Sequence, residues 1–324
     1  MSHNTLLEML QRHAGEYLSG EELSRRLSIS RTAVWKQINK LRDEGYEFEA
    51  VSRKGYRLLR TPDRLEAADV QSKLTTTSFA REIKLLEVTE TTQEEARILA
   101  ENGAVSGTLV IAEEQTRARG RQGKPWFSPA RKGVWMSMVL RPDCPLSFAP
   151  QLTLLTAVAL CRAIRKISGV ETGIKWPNDL LVADRKISGI LIESVGEDGL
   201  IKYCIIGIGI DVNLEAADIP DELSNIVTSL KIESGREIDR GELIGAVMNE
   251  MEQLYSVYET EGFAPIGHLW EALSVTIGRR IVVRTPQGEK SGVATALDAS
   301  GALTLLDDRG QLSTIYSGEI QLEG

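Results

Sequence analysis

Apolar positions in the first sixty residues repeat at helical intervals and then switch to alternation. Leu6, Leu7 and Leu10 predict a helix over 5–13 that stops before Gly15. Leu23 and Leu27 lie four apart behind Ser19, and Glu22 follows Ser19 by three, a capping-box pattern that predicts a short helix over 20–27. Ser30 can cap a third helix over 31–43, with Val34, Ile38 and Leu41 as its inner face. From Tyr46 the period falls to two, and residues 46–51 and 56–59, joined through Gly55, predict a β-hairpin.

Three short helices and a hairpin make a winged helix-turn-helix. In that arrangement the second helix of the motif enters the major groove. Ser30, Arg31, Thr32, Lys36, Asn39 and Lys40 then form the candidate DNA face, and Arg53 and Lys54 at the wing tip would reach the backbone. Trp35 is expected to pack against the first helix. Thr61-Pro-Asp63 serves as the linker. Charge agrees with a polyanionic partner at this end: residues 1–60 carry +3, whereas the whole chain of 324 residues carries −8.

Beyond the linker, strand and helix patterns mix. Strands are predicted over 83–88, 107–113, 133–140, 174–182, 186–193 and 203–213, and helices over 92–102 and 151–167. Four short strands separated by Gly-rich turns follow near 278–283, 290–297, 303–306 and 313–317. The expected fold class is α+β: a winged helix-turn-helix over 1–63, a mixed-sheet α/β domain over 64–273 and an SH3-like β-barrel over 274–324. Cys144, Cys161 and Cys204 lie far apart and suggest neither a metal site nor a disulfide framework, which points to the cytoplasm. The most apolar helical run, 152–163, is interrupted by Arg162 and reads as too short for a bilayer. No secretion signal is evident, and three histidines in the whole chain make His-based triads and zinc sites improbable.

Four features point to phosphate and carboxylate chemistry. Arg119 and Arg121 sit on a glycine-containing segment, Arg119-Gly-Arg-Gln-Gly-Lys-Pro-Trp126, suited to closing over an anion. Lys175-Trp-Pro-Asn-Asp179 brings a lysine and a carboxylate close, as a nucleotide phosphate and its Mg²⁺ require. Lys186 opens an apolar strand that would draw its ammonium inward. Gly207 and Gly209 alternate in a β-branched strand, the mark of a bulge or of close approach by a ligand. No Gly-x-x-x-x-Gly-Lys-Ser/Thr loop occurs, so P-loop chemistry is excluded.

With these motifs the chain resembles the bifunctional biotin–protein ligases that also repress the biotin operon. The family signature Gly-Arg-Gly-Arg-x-Gly reads Ala118-Arg-Gly-Arg-Gln-Gly123 here, and Lys175-Trp-Pro-Asn-Asp179 followed by Lys186-Ile-Ser-Gly189 matches the second signature. The resemblance implies a two-step reaction. Biotin's carboxylate attacks the α-phosphate of MgATP to give biotinyl-5′-AMP. A lysine of the biotin carboxyl carrier protein then attacks the mixed anhydride.

Carried over by position, Arg121 and Lys186 would be catalytic, with no metal ligands from the protein. Thr91, Thr92, Gln93, Gln115, Arg119, Gly120, Arg121 and Lys186 would hold biotin, and Trp126, Lys175, Asn178, Asp179 and Gly207 the nucleotide. Gln93 stands where the family commonly has Asn, and Ala118 where it has Gly. The adenylate would also act as co-repressor, favouring a homodimer that grips operator DNA. Two rivals remain: a lipoate- or octanoate-type acyl ligase, and a repressor that senses biotin without catalysis.

Overall fold

The computed structural model describes residues 3–13, 15–43, 45–51, 54–60, 64–285 and 288–323. Arg53 and the Thr61–Asp63 linker fall outside them. The chain divides into two compact units, Met1–Arg64 and Leu65–Gly324.

In the first unit, helices α1 (His3–Arg12), α2 (Gly20–Leu27) and α3 (Arg31–Asp43) are followed by strands β1 (Glu47–Val51) and β2 (Gly55–Arg60). Both serine caps form, but the reciprocal half of the expected box at Ser19 does not, since the Glu22 side chain pairs with Arg26 at 2.6 Å. Ser19 Oγ accepts from the Glu22 amide at 3.1 Å, and Ser30 Oγ accepts from the Ala33 amide at 3.1 Å. Leu6, Leu10, Leu23, Val34, Ile38 and Leu41 form a core that Phe48 and Leu58, opposite each other in the hairpin, close from below. Leu18 exchanges two 2.9 Å backbone hydrogen bonds with Tyr56, tying the segment before α2 to the wing. Gly55 makes this approach possible, because its φ is +108° and a Cβ there would run into the Leu18 carbonyl. One expectation fails. Trp35 is 52% exposed rather than packed against α1. It follows Val34 by one residue, about 100° around the helix, and so lies off the buried stripe.

The second unit is built on a seven-stranded mixed sheet. Its elements begin with α4 (Ala67–Ser72), β3 (Ile83–Thr89), α5 (Thr92–Glu101), β4 (Leu109–Gln115), β5 (Gly133–Leu140) and α6 (Ala149–Ser168). Then come β6 (Gly173–Lys175), β7 (Asp179–Val182), β8 (Arg185–Glu197) and β9 (Leu200–Asp211). The strand order is β3-β4-β5-β9-β8-β7-β6, parallel between β3 and β4 and antiparallel elsewhere. The expected single strand over 174–182 is in fact a hairpin. Lys175 pairs with Asp179 across a tight turn that holds a cis Trp176–Pro177 bond.

Helices α7 (Leu230–Ser234), α8 (Arg240–Glu261) and α9 (Ala264–Leu273) complete this part. The 22 residues of α8 are a helix the sequence analysis leaves unassigned, although Leu243, Ile244, Val247, Met248, Met251, Leu254 and Tyr255 repeat at intervals of three and four. Helices α6, α8 and α9 cover one face of the sheet, and α5 covers part of the other. Helix α6 is also longer than its apolar run implies. With its leading turn it spans Leu146–Ser168, enough by length and composition to cross a membrane, but 67% of its most apolar stretch is buried in this core.

The tail is the expected all-β element. Strands β10 (Arg280–Thr285), β11 (Gly288–Leu297), β12 (Leu303–Leu306), β13 (Leu312–Ile315) and β14 (Glu319–Leu322) form an antiparallel sheet ordered β13-β12-β11-β10-β14. Its apolar residues Ile281, Val283, Leu303 and Ile320 join the same core cluster as α6 and α8.

Candidate active site

Alternation along β9 builds the floor of the site. Ile206, Ile208 and Ile210 point into the core under α6, so Ile205, Gly207, Gly209 and Asp211 face the opposite way. Helix α5 packs on this second face against Ile205, and its Gln93 reaches Gly207. Beyond it opens a cavity of about 340 Å³, lined by the Arg/Gly segment, the Lys175–Asp179 turn, Lys186 and the tail residues Gly318–Ile320. Gly189 on β8 and Gly209 on β9 are register partners, and the Trp126 indole lies across both. A Cβ on Gly209 would come within 2.5 Å of Trp126 Nε1, so these two glycines are what allow the ring to lie flat. The buried Nε1–H finds no acceptor among the described residues.

A register skip aims Lys186 at this cavity. Leu180 faces Ser188 while Leu181 faces Lys186, which leaves Ile187 as the extra residue of a β-bulge. The bulge turns Lys186 to the Gly189 side, where its Nζ lies 2.7 Å from Asp179 Oδ1 and 5.0 Å from the Trp126 ring centre. Lys175 and Arg121 complete the cationic wall. Burial lowers the Lys175 ammonium, with Asp179 opposing the shift. Burial also lowers the Arg121 guanidinium, against Asp179 and Glu319, though an arginine still keeps its charge. Asp211, 3% exposed, also lines the cavity. Burial pushes its carboxyl well above the usual range despite the nearby Lys186. Arg121, Lys175 and Lys186 thus converge around Asp179, with Arg119, Lys124 and Glu319 also on the wall, and the excess of cations suits an anion.

The Arg/Gly segment is pinned at several points. Arg121 donates to Asn178 Oδ1 at 2.9 Å, Arg119 pairs with Glu193 at 3.1 Å, and Lys124 pairs with Glu319 of the tail. Gly120 donates to the Lys124 carbonyl at 2.7 Å and Trp126 to the Ala118 carbonyl at 3.0 Å, closing the segment on itself. Left-handed backbone occurs at Gln122 (φ 56°) and Gly123 (φ 74°), and not at Gly120 (φ −96°). Ala118 has no positive φ either, which explains why an alanine is accommodated there.

Thr91, Thr92, Gln93 and Gln115, four of the residues expected to hold biotin, meet at the start of α5. Thr91 Oγ1 accepts from the Gln93 amide. Gln115 Oε1 accepts from Thr92 N at 2.8 Å and from Thr92 Oγ1 at 3.1 Å, and Thr92 Oγ1 lies 2.8 Å from Ser137 Oγ. Gln93 turns into the sheet. It donates to the Ile205 carbonyl, accepts from Ser137 and covers Gly207, so Gly207 sits with this group. Gly209, singled out from sequence as a place of close approach, and Gly189 of the second signature line the cavity, as do Ser137 and Asp211, which were not singled out. The period of two along β9 would have placed Asp211 in line with Gly207 and Gly209.

In the first unit, Arg31, Thr32, Lys36 and Lys40 are exposed on α3 and Asn39 is half-buried. Arg31 pairs with Glu21 at 2.6 Å, Asn39 accepts from Arg42, and Ser30 is occupied as the cap. Lys54 lies 5.6 Å from the Tyr17 ring centre.

Comparison with known proteins agrees with this geometry. Residues 84–211 match the Biotin/lipoate A/B protein ligase family, residues 3–57 an HTH domain and residues 276–322 the Biotin protein ligase C terminal domain. The bifunctional ligase/repressor BirA of Bacillus subtilis is 44% identical over 317 residues, covering 98% of this chain and 97% of that protein. The chain belongs to the bifunctional ligase/repressor family. Its Escherichia coli relative, also a bifunctional ligase/repressor, is 33% identical over 95% of this chain and 94% of that protein. A biotin protein ligase of Aquifex aeolicus, solved in complex with biotin and ATP, superposes with a TM-score of 0.66 at 28% identity, covering 75% of this chain and 99% of that one.

Proposed function

We propose that this chain joins biotin to a lysine of a biotin carboxyl carrier protein in the cytoplasm, and represses transcription when its adenylate is not consumed. The observation that carries the first half is the convergence of Arg121, Lys175 and Lys186 on Asp179 over a glycine floor. In the first step a biotin carboxylate oxygen bonds to the α-phosphorus of ATP and the bond to pyrophosphate breaks. In the second the acceptor amine bonds to the biotinyl carbon, the bond to AMP breaks, and the amine loses a proton. Displacement at phosphorus needs placement and charge neutralisation more than a protein nucleophile. Arg121 and Lys186 supply that neutralisation at the carboxylate–phosphate junction. Thr91, Thr92, Gln93 and Gln115 place the biotin ring, with Arg119 and Gly120 above it. Lys175, Asn178, Asp179 and Trp126 serve the nucleotide, while Gly207, expected on the nucleotide side, lies under Gln93 with the biotin group.

Among the described residues no group of three or more His, Cys, Asp or Glu could hold an ion alone. Mg²⁺ would therefore arrive with the phosphates, and the Asp179 carboxylate fits one place in such a mixed set. In this reading residues 1–63 bind operator DNA through α3 and the wing, residues 64–273 catalyse, 274–324 support the nucleotide side, and the liganded chain grips a two-fold operator as a homodimer.

The test mixes the protein with labelled biotin, MgATP and a carrier domain. Label on the carrier lysine is expected. Transfer of lipoate or octanoate in place of biotin would assign the chain to that rival class, and biotin-dependent DNA binding without pyrophosphate release would make it a sensor.

A further inference from the structure

Glu113 and Arg240 form an ion pair at 2.6 Å, with side chains 2% and 0% exposed. Arg240 is brought there by the start of α8, where Asp239 caps the helix by accepting from the Glu242 amide at 2.9 Å. The side chains of the pair fasten two stretches of backbone, and the Glu113 main chain holds a third. Glu113 Oε1 accepts from the amide of Leu65, the first residue of the second unit, at 2.6 Å. The Glu113 carbonyl accepts from the Arg131 amide at 3.0 Å. Arg240 Nη1 donates to the Gly133 carbonyl at 3.2 Å. Glu113 ends the buried part of β4 and Gly133 begins β5, so both feet of the 116–132 segment meet at this pair, and Arg119, Arg121 and Trp126 ride between them.

Stability alone does not account for such a pair. Removing two charges from water costs about as much as their attraction returns, and apolar residues of similar volume often hold a core equally well. An ion pair adds direction: a guanidinium and a carboxylate with fixed hydrogen-bond geometry fix the spacing of the backbone they hold. We propose that Glu113 and Arg240 are positioning residues for the ligand-covering segment, setting the separation of its feet and so how long the adenylate stays enclosed. The proposal rests on the ligase reading above.

The test uses the full chain. Arg240→Met alone would strand a buried carboxylate and could unfold the protein, so the informative variant is Glu113→Leu with Arg240→Met, which removes both members of the pair together. Expected are a thermal midpoint lowered by the loss of the Leu65 and Gly133 hydrogen bonds but well above the assay temperature, a saturated rate of pyrophosphate release close to the parent's, a raised biotin KM, and adenylate dissociation faster by on the order of ten- to a hundredfold. The conservative Arg240→Lys, which keeps a cation for Glu113 Oε2 and leaves Oε1 to the Leu65 amide, should hold the adenylate nearly as long as the parent. A double variant that retains adenylate at the parental rate, or loses it only because its midpoint has fallen to the assay temperature, would overturn the proposal. Parental protein that forms no adenylate would instead overturn the ligase reading, so the two failures are distinct.

Discussion

Lys186 Nζ sits 2.7 Å from Asp179 Oδ1 and 5.0 Å from the centre of the Trp126 ring, so one ammonium joins the Arg/Gly segment to the Lys175–Asp179 turn. An arriving phosphate or carboxylate would compete with Asp179 for that charge. Lys186→Ala should lower pyrophosphate release at least about a hundredfold, the usual cost of losing one donor aimed at developing negative charge. Pyrophosphate assays at saturating biotin and MgATP measure it, and release within a few-fold of the parent's would remove Lys186 from the chemistry.

Arg121 reaches Asn178 at 2.9 Å from a segment otherwise held at its rim by Arg119–Glu193 and Lys124–Glu319. Both rim pairs are largely exposed and contribute little. Arg121→Gly therefore removes the inner fastening and should let biotinyl-5′-AMP dissociate on the order of tenfold faster, as expected for the loss of one hydrogen bond from a charged group. Rapid filtration of preformed labelled adenylate measures this, and an unchanged dissociation rate would mean that the segment is held some other way.

The locations of these contacts divide into those legible in the sequence and those set by tertiary geometry. The winged helix was legible because its caps and apolar stripe are local: Ser19, Ser30, Val34, Ile38 and Leu41 all do what their spacing implies. The glycines of β9 and the Arg/Gly segment were legible for the same reason. The aim of Lys186 was not, because it depends on a bulge defined only when β7 and β8 pair. Nor was the inward turn of Gln93, which answers to Ile205, or the Glu113–Arg240 pair, whose members lie 127 residues apart. Trp35 went the other way because a lone aromatic in a charged helix resembles a core residue in sequence, and only its angle around α3 decides.

Asp211 is a buried carboxyl whose proton affinity burial raises well above the ordinary value, Lys186 notwithstanding. The folded chain thus keeps a proton that the unfolded chain has lost, and stability falls as pH climbs from the unfolded value of about 4 toward the raised folded value. Asp211→Asn removes that dependence while keeping the shape. Its thermal midpoint should exceed the parent's by more at pH 8 than at pH 5, at roughly 2–4 °C per kcal/mol for a domain of this size. Scanning calorimetry at the two pH values decides, since an offset that does not grow with pH would mean that Asp211 is ionised in the fold.

Trp35 stands 52% exposed on α3, with Arg31 and Thr32 one turn before it and Asn39 one turn after. A large apolar ring left half exposed on a cationic helix face can, in a major groove, lie against thymine methyl groups. Trp35→Ala should therefore weaken binding to a duplex selected from a randomised pool, in the presence of biotin and MgATP, by about tenfold or more. The salt dependence should not change, because the indole neutralises no phosphate, whereas Lys36→Ala should lower the slope by about one counterion. Titrations at several salt concentrations measure both. Parental affinity in Trp35→Ala, or a shallower salt slope in that variant, would show that the ring does not read bases.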